Sequence, residues 1–219
     1  MRQHNRQLVG VLWITRQSDD RMSIVQKRFT RQEGLGMERK PDRRVRRTRA
    51  QLRQGLAQLM GEKSVNEVTV TELVDLVDIN RSTFYLHYRD IPHMLECVEQ
   101  ELYEQIRHAM EQTLTGRFEG DTLAFLEDVF SILFANRDIC AALLGPRGDI
   151  GFLHHIEEML SQYILTPLQR TQPDVAYRYT FCVAGGMGLI KDWLSRGCPE
   201  SPQDMARRTN DLIAGVTHR

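Results

Sequence analysis

The chain has 219 residues, 41% of them hydrophobic, which is enough apolar material to bury a core without disulfide or metal staples. Its 29 Lys and Arg balance its 29 Asp and Glu, so overall basicity carries no argument, but the distribution does. Residues 1 to 49 hold 14 basic and 5 acidic side chains, a net of +9, and residues 50 to 219 carry the compensating −9. Such a chain reads as an acidic body with a polyanion-seeking end. Cys97, Cys140, Cys182 and Cys198 form no C-x-x-C pair, which argues against a zinc site or a disulfide framework and fits a reduced, cytoplasmic protein. The apolar run Leu8 to Ile14 is too short for a signal peptide with a cleavage site, and no segment reaches the ~20 apolar residues of a membrane span.

Residues 1 to 40 show no sustained period, are rich in Arg and Gln, and break at Gly34 to Gly36, so they read as a flexible basic arm. Met37 follows that break directly; residues 1 to 36 are either a natural arm or sequence upstream of a start at Met37. From Arg46 the pattern is helical. Leu52, Leu56 and Leu59 recur at i, i+4 and i+7, with Gly61 placed for a C-terminal cap. Thr69-Val70-Thr71-Glu72 is a capping box, and Val70, Leu73, Val74 and Val77 form one apolar stripe behind it. This predicts a short helix over Val70 to Val77.

Asp78-Ile79-Asn80 then separates it from a third helix, with Asn80 as N-cap and Ile79 ready to staple onto Phe84. Phe84 and Tyr88, four apart, face inward and leave Arg81, Ser82, Thr83, Tyr85 and His87 outside. Two short helices held by a tight turn, the second with a polar outer face, are a helix-turn-helix, whose second helix enters the DNA major groove. The basic run Arg39 to Arg49, with Arg46, Arg47 and Arg49 nearest helix one, lies just ahead of it, where cations add affinity without specificity.

The remainder also reads as helices. Asp90-Ile91-Pro92 opens a long one with the stripe Leu95, Val98, Leu102 and Ile106, ending at Gly116. Asp121 caps Thr122 to Ala135, and Asp138 caps a short piece that Gly145-Pro146 ends. Phe152 to Leu165 follows and is closed or bent by Pro167. Pro173 opens Asp174 to Arg196, stopped by Gly197, and Ser201-Pro202 starts a last helix reaching about Val216. The predicted fold is all-α: the arm at 1–40, a helix-turn-helix head at 41–92 and a helical body at 93–219.

The stretch from Val68 to Tyr88, VTVTELVDLVDINRSTFYLHY, resembles the DNA-binding motif of TetR/AcrR-like bacterial transcriptional regulators, and the likeness spans about Arg46 to Leu95. Gly185-Gly186, Ile190, Trp193-Leu194, Gly197 and Ser201-Pro202 resemble the end of one subgroup of the same regulators. The resemblance implies DNA contacts at Thr71, Arg81, Ser82, Thr83, Tyr85 and His87, to which Thr69, Arg46, Arg47 and Arg49 are added as candidates. It implies a homodimer formed through the last two helices, and middle helices that enclose a small-molecule effector pocket. Two positions depart from the pattern. Asp78 stands where the turn usually has Gly, which is tolerable because Asp adopts left-handed backbone, and Ile91 replaces a usual phosphate-binding Lys.

Tyr103, Phe125, Phe130, Phe134, Phe152 and Tyr163 are either plain core or the lining of such a pocket. Ala184, Gly185 and Gly188 put small residues close to one face of a helix where Gly costs about 1 kcal/mol, a cost best understood if another helix approaches. With Trp193, Met205, Leu212 and Val216 they make half of a four-helix dimer interface. The expected function is a sequence-specific DNA-binding regulator, a repressor rather than an activator, acting on a palindromic operator. The alternative is a regulator-like interaction protein working through a protein partner. No Gly-rich phosphate loop, G-x-S-x-G or H-E-x-x-H supports an enzyme, and no cofactor or metal is implied: His154 and His155 are adjacent and point about 100° apart on a helix. A reactive Cys140 or Cys182 would be an enzyme's only foothold.

Overall fold

The computed structural model describes residues 43–114, 122–169 and 175–217, and among them every regular element is helical. The arm at 1–40 with Met37, and the capping residues Asp121, Pro173 and Asp174, lie outside the described residues. From Arg44 onward the described chain belongs to one compact unit.

Helix α1, Arg43–Glu62, begins earlier than expected because its arginine-rich start is itself good helix-forming sequence. It buries Leu52, Gly55, Leu56, Ala57 and Met60. Gly61 lies within its last turn rather than capping it, and the exit is made instead by a 3-10 turn, Val65–Glu67, with its own Ser64–Glu67 capping box. Helix α2, Val70–Leu76, starts on the predicted box: the Thr69 hydroxyl accepts from the Glu72 amide at 3.2 Å, and the Glu72 carboxylate accepts from the Thr69 amide at 3.0 Å. Lys63 adds an ion pair at 2.6 Å, and with the Thr69 bonds it holds the Glu72 carboxyl down to about 2.

The turn after α2 is a Schellman motif. The Ile79 amide bonds the Val74 carbonyl at 3.0 Å, the Asp78 amide bonds the Asp75 carbonyl at 3.4 Å, and Asp78 sits at φ +52°, the left-handed position usually given to Gly. Helix α3, Arg81–Tyr85, follows from Asn80, whose Oδ1 accepts from the Ser82 amide at 2.9 Å.

Helix α4, Ile91–Leu114, starts under an Asp90 cap on the His93 amide at 2.8 Å and buries Ile91, Met94, Leu95, Val98, Leu102 and Ile106 along one stripe. It packs both on the 3-10 turn of the head and on α5, Thr122–Ala135, and the expected division after residue 92 falls at the start of this one continuous helix. Helix α6, Arg137–Leu144, is capped from Asn136 and not from Asp138, which lies inside its first turn. Helix α7, Ile150–Leu160, is capped by Asp149, whose carboxylate accepts from Gly151 and Phe152. Pro167 does not close this helix. Proline has no amide with which to continue an i to i−4 ladder, and the chain meets it through a π turn, Ser161–Leu165, before a last short piece, α8, Thr166–Gln169.

Helix α9, Val175–Ser195, ends as predicted at Gly197, which at φ +77° gives a second Schellman turn: Cys198 to Trp193 at 2.9 Å and Gly197 to Leu194 at 3.0 Å. Helix α10, Pro202–Thr217, starts on the Ser201 hydroxyl and lies along α5. Where these helices meet, Trp193 is fully buried, with its ring edge-on to Phe130 at 5.3 Å and stacked on Phe134 at 6.2 Å, and its indole N–H donates to the Glu200 carbonyl.

Two substitutions test this packing. A Cβ at Gly55 would meet Val77 Cγ1 at 2.4 Å and Leu73 Cδ1 at 2.9 Å, so α1 and α2 are in contact through the glycine. Gly55→Ala should therefore lower the melting temperature although helix propensity alone would favour Ala by about 1 kcal/mol; a stabilised variant would refute the close approach. Glu99 on α4 has its Oε1 buried without a hydrogen-bond partner among the described residues. Burial, then Asp149 and Glu96, raises its carboxyl from 4.5 to about 7. The folded chain keeps a proton that the unfolded chain has lost, so this group erodes stability as pH rises through that window. Glu99→Gln should melt higher than the parent at about pH 8 and nearly with it at about pH 4, and an equal gap at both would contradict the reading.

Candidate nucleic-acid interface

The outward face of the α2–turn–α3 unit carries Thr69, Thr71, Arg81, Ser82 and Tyr85, all exposed, with Thr83 and His87 half-buried at its edges. Beneath it Phe84 is fully buried and Tyr88 nearly so, their rings 5.7 Å apart. Two hydroxyls are already engaged: Thr69 in its capping box, and Ser82, which donates to Asn80 Oδ1 at 2.8 Å. Sequence reasoning missed Leu86, which follows Tyr85 and is 80% exposed on the same unit; an exposed Leu beside a polar face carries no period to betray it.

Arg46, Arg47 and Arg49 are exposed on α1. Burial, and then the charge of Arg49, lowers the His87 imidazole from its ordinary value and so favours its neutral form, in which the ring can both donate and accept. Arg49 also pairs with Glu101 on α4 at 3.8 Å, while Arg53 clasps Glu101 and donates to Asn136 Oδ1 at 3.2 Å. Ile91, in place of the usual Lys, is buried in the core and offers nothing to a phosphate.

Ala184, Gly185 and Gly188 are exposed on α9, and beyond the helix's own backbone nothing in the described chain lies within 4 Å of where a Cβ would stand on either glycine. Leu212 is exposed on α10 and Val216 half-buried. Trp193 and Met205, expected on the same face, are instead buried inside their own chain, because the indole N–H and ring find their partners on Glu200, Phe130 and Phe134. Tyr177 is 83% exposed and Phe181 66% exposed on the same helix. The signal was legible: 177, 181, 184 and 188 repeat at i, i+4, i+7 and i+11.

The six aromatics expected around an effector divide into two groups. Phe125, Phe130 and Phe152 are buried in the core and Phe134 stacks on Trp193, whereas Tyr103 and Tyr163 are half-buried at the contact of α4 with the π turn. There the Tyr163 hydroxyl donates to Glu111 at 2.9 Å, and Arg107 bridges Glu104 and Glu111. Burial raises the Cys182 thiol and pushes that of Cys140 up to about 12, which makes both poor nucleophiles. No described helix is long and apolar enough to cross a membrane.

Residues 120–215 match a family model described as a transcriptional regulator C-terminal region, TetR_C_8. No curated protein matches the sequence. Among solved structures, a TetR transcriptional regulator from Streptococcus agalactiae is 22% identical with a TM-score of 0.50, over 78% of this chain and 96% of that one. The TetR-family regulator PfmR from Thermus thermophilus is 17% identical with a TM-score of 0.56, over 77% of this chain and 99% of that one. The regulator FadR from Bacillus subtilis, in complex with stearoyl-CoA, is 15% identical with a TM-score of 0.54, over 77% and 99% of the two chains. These likenesses show the fold, and the match over residues 120–215 makes the C-terminal half similar to the C-terminal region of TetR-type transcriptional regulators.

Proposed function

We propose that the chain is a repressor that binds a palindromic DNA operator as a homodimer and releases it when a small-molecule effector binds. The observation that supports this most directly is the joint exposure of Arg81, Ser82 and Tyr85 above a buried Phe84, beside the cationic start of α1. A helix so anchored can place its outer side chains against base edges while the arginines of α1 meet backbone phosphates. The dimer is supported by the α9 face. Tyr177 and Phe181 are large apolar groups left in water, and the glycines beside them have no neighbour within the chain that explains them. A second copy brought against that face by two-fold symmetry would present two recognition helices, hence the inverted repeat. Tyr103 and Tyr163 mark where an effector would enter. The burial of Ile91 favours one other reading, in which a head with fewer phosphate contacts docks on a protein partner.

Fragments of the genome retained by the purified protein would supply the operator. On it, Arg81→Ala should weaken binding by about 1 to 3 kcal/mol with the melting temperature unchanged, whereas Phe84→Ala should cost roughly 3 to 5 kcal/mol of stability. Affinity should fall steeply with salt. Binding that is insensitive both to salt and to Arg81→Ala would favour the protein-partner reading. For the dimer, Phe181→Glu and Gly188→Leu should sediment as folded monomers with much weaker operator binding; a parent chain that is monomeric at micromolar concentration would overturn it.

A further inference from the structure

An open cleft of about 530 Å³ lies between α1, α4 and the turn joining α5 to α6. Along α1 it is lined by Arg46, Arg49, Ala50, Arg53 and Gln54, positions that repeat at i, i+3, i+4, i+7 and i+8 and so share one face. Opposite stand Glu101 and residues 135–139. Four guanidiniums thus meet only two carboxylates, Glu101 and Asp138. Glu101 is committed to Arg53 and Arg49, and Asp138 lies 3.9 Å from Arg137. Arg137 also lies over the Phe134 ring, 5.4 Å from its centre, and lines the cleft from the body as the α1 arginines line it from the head. Arg46 has no ion-pair partner among the described residues.

The turn adds to this. Asn136 makes no side-chain cap on α6, because its side chain bonds Arg53 and the Ile132 carbonyl instead, so the first turn that lines the cleft, residues 137–139, is left without that cap. The volume is that of a small-molecule site, and the surplus charge selects the sign of its occupant.

We propose that this cleft binds a small phosphate-bearing anion, held by Arg46, Arg49 and Arg53 from α1 and by Arg137 from the body. The assignment stands apart from the aromatic edge at Tyr103 and Tyr163, and it shares Arg46 and Arg49 with the proposed DNA interface, so that DNA backbone is the competing occupant. Such a ligand would compete with Glu101 for Arg49 and Arg53, the side chains that connect α1 to α4.

Calorimetric titration of the full chain with inorganic pyrophosphate, at constant ionic strength and without DNA, tests it. Saturable binding is expected, weakened at least about tenfold by Arg137→Ala and by Gln54→Glu, and unchanged by Arg81→Ala on the recognition helix. Circular dichroism confirms that these exposed substitutions leave the fold intact. No saturable heat in the parent, or undiminished binding in both cleft variants, overturns the site. Loss with Arg81→Ala places the pyrophosphate on the DNA-reading face and overturns it as well. If Arg137→Ala weakens operator binding as much as pyrophosphate binding, the cleft is a seat for DNA backbone, and the small-anion assignment fails. Failure of the parent to bind any operator would sink the regulator reading while leaving the calorimetry intact.

Discussion

A helix of five residues has no stability of its own, and α3 holds its direction because Phe84 is sealed in the head core beneath it. Everything that the outward face can do follows from that one buried ring. The Asn80 cap fixes where α3 starts, and the left-handed Asp78 fixes the angle at which the chain arrives from α2. Both devices would be idle if the ring were free to swing, because caps set the ends of a helix and not its orientation in the molecule. Tyr88, packed against Phe84, carries the same constraint onward into α4.

The elements readable in the sequence are those with local causes. Capping boxes, Schellman turns and apolar stripes are written within four to eight residues, and the structure places α2, α3, α5 and α10 close to where those signals put them. Gly61 misled because the Ser64 turn supplies the exit of α1, and Asp138 because α6 begins one residue earlier, at Arg137, with no side-chain cap. The π turn ahead of Pro167 was invisible, since the pattern says that a helix cannot continue regularly there but not how it will yield.

Candidate site residues divide along the same line. The polar face of α3 was legible because its anchor, Phe84, lies three residues from Arg81 on the same helix. Gly55, Arg53 and Trp193 were not, because their roles are set by partners far away in the chain: Val77, Asn136 and Phe130. Trp193 is instructive, since a large apolar residue on a helix expected to dimerise suits an interface and a core equally well, and only the position of the Glu200 carbonyl decides between them.

Helix α4 carries a consequence for modularity. Ile91, Met94, Leu95 and Val98 belong to one continuous core with Leu56 and Phe84 before them and Phe130 and Leu143 after them, and Glu101 is where Arg53 is held. A head excised at the boundary that the motif suggests would be cut away from Ile91, Met94 and Leu95, which belong to the same buried core as Phe84, and grafting it elsewhere would join two half-cores cut from different sequences. Exchange of the outward α3 face with another protein is therefore constrained to move α1 through the first turns of α4 together, or to change only the exposed side chains of α3 and leave the scaffold uncut.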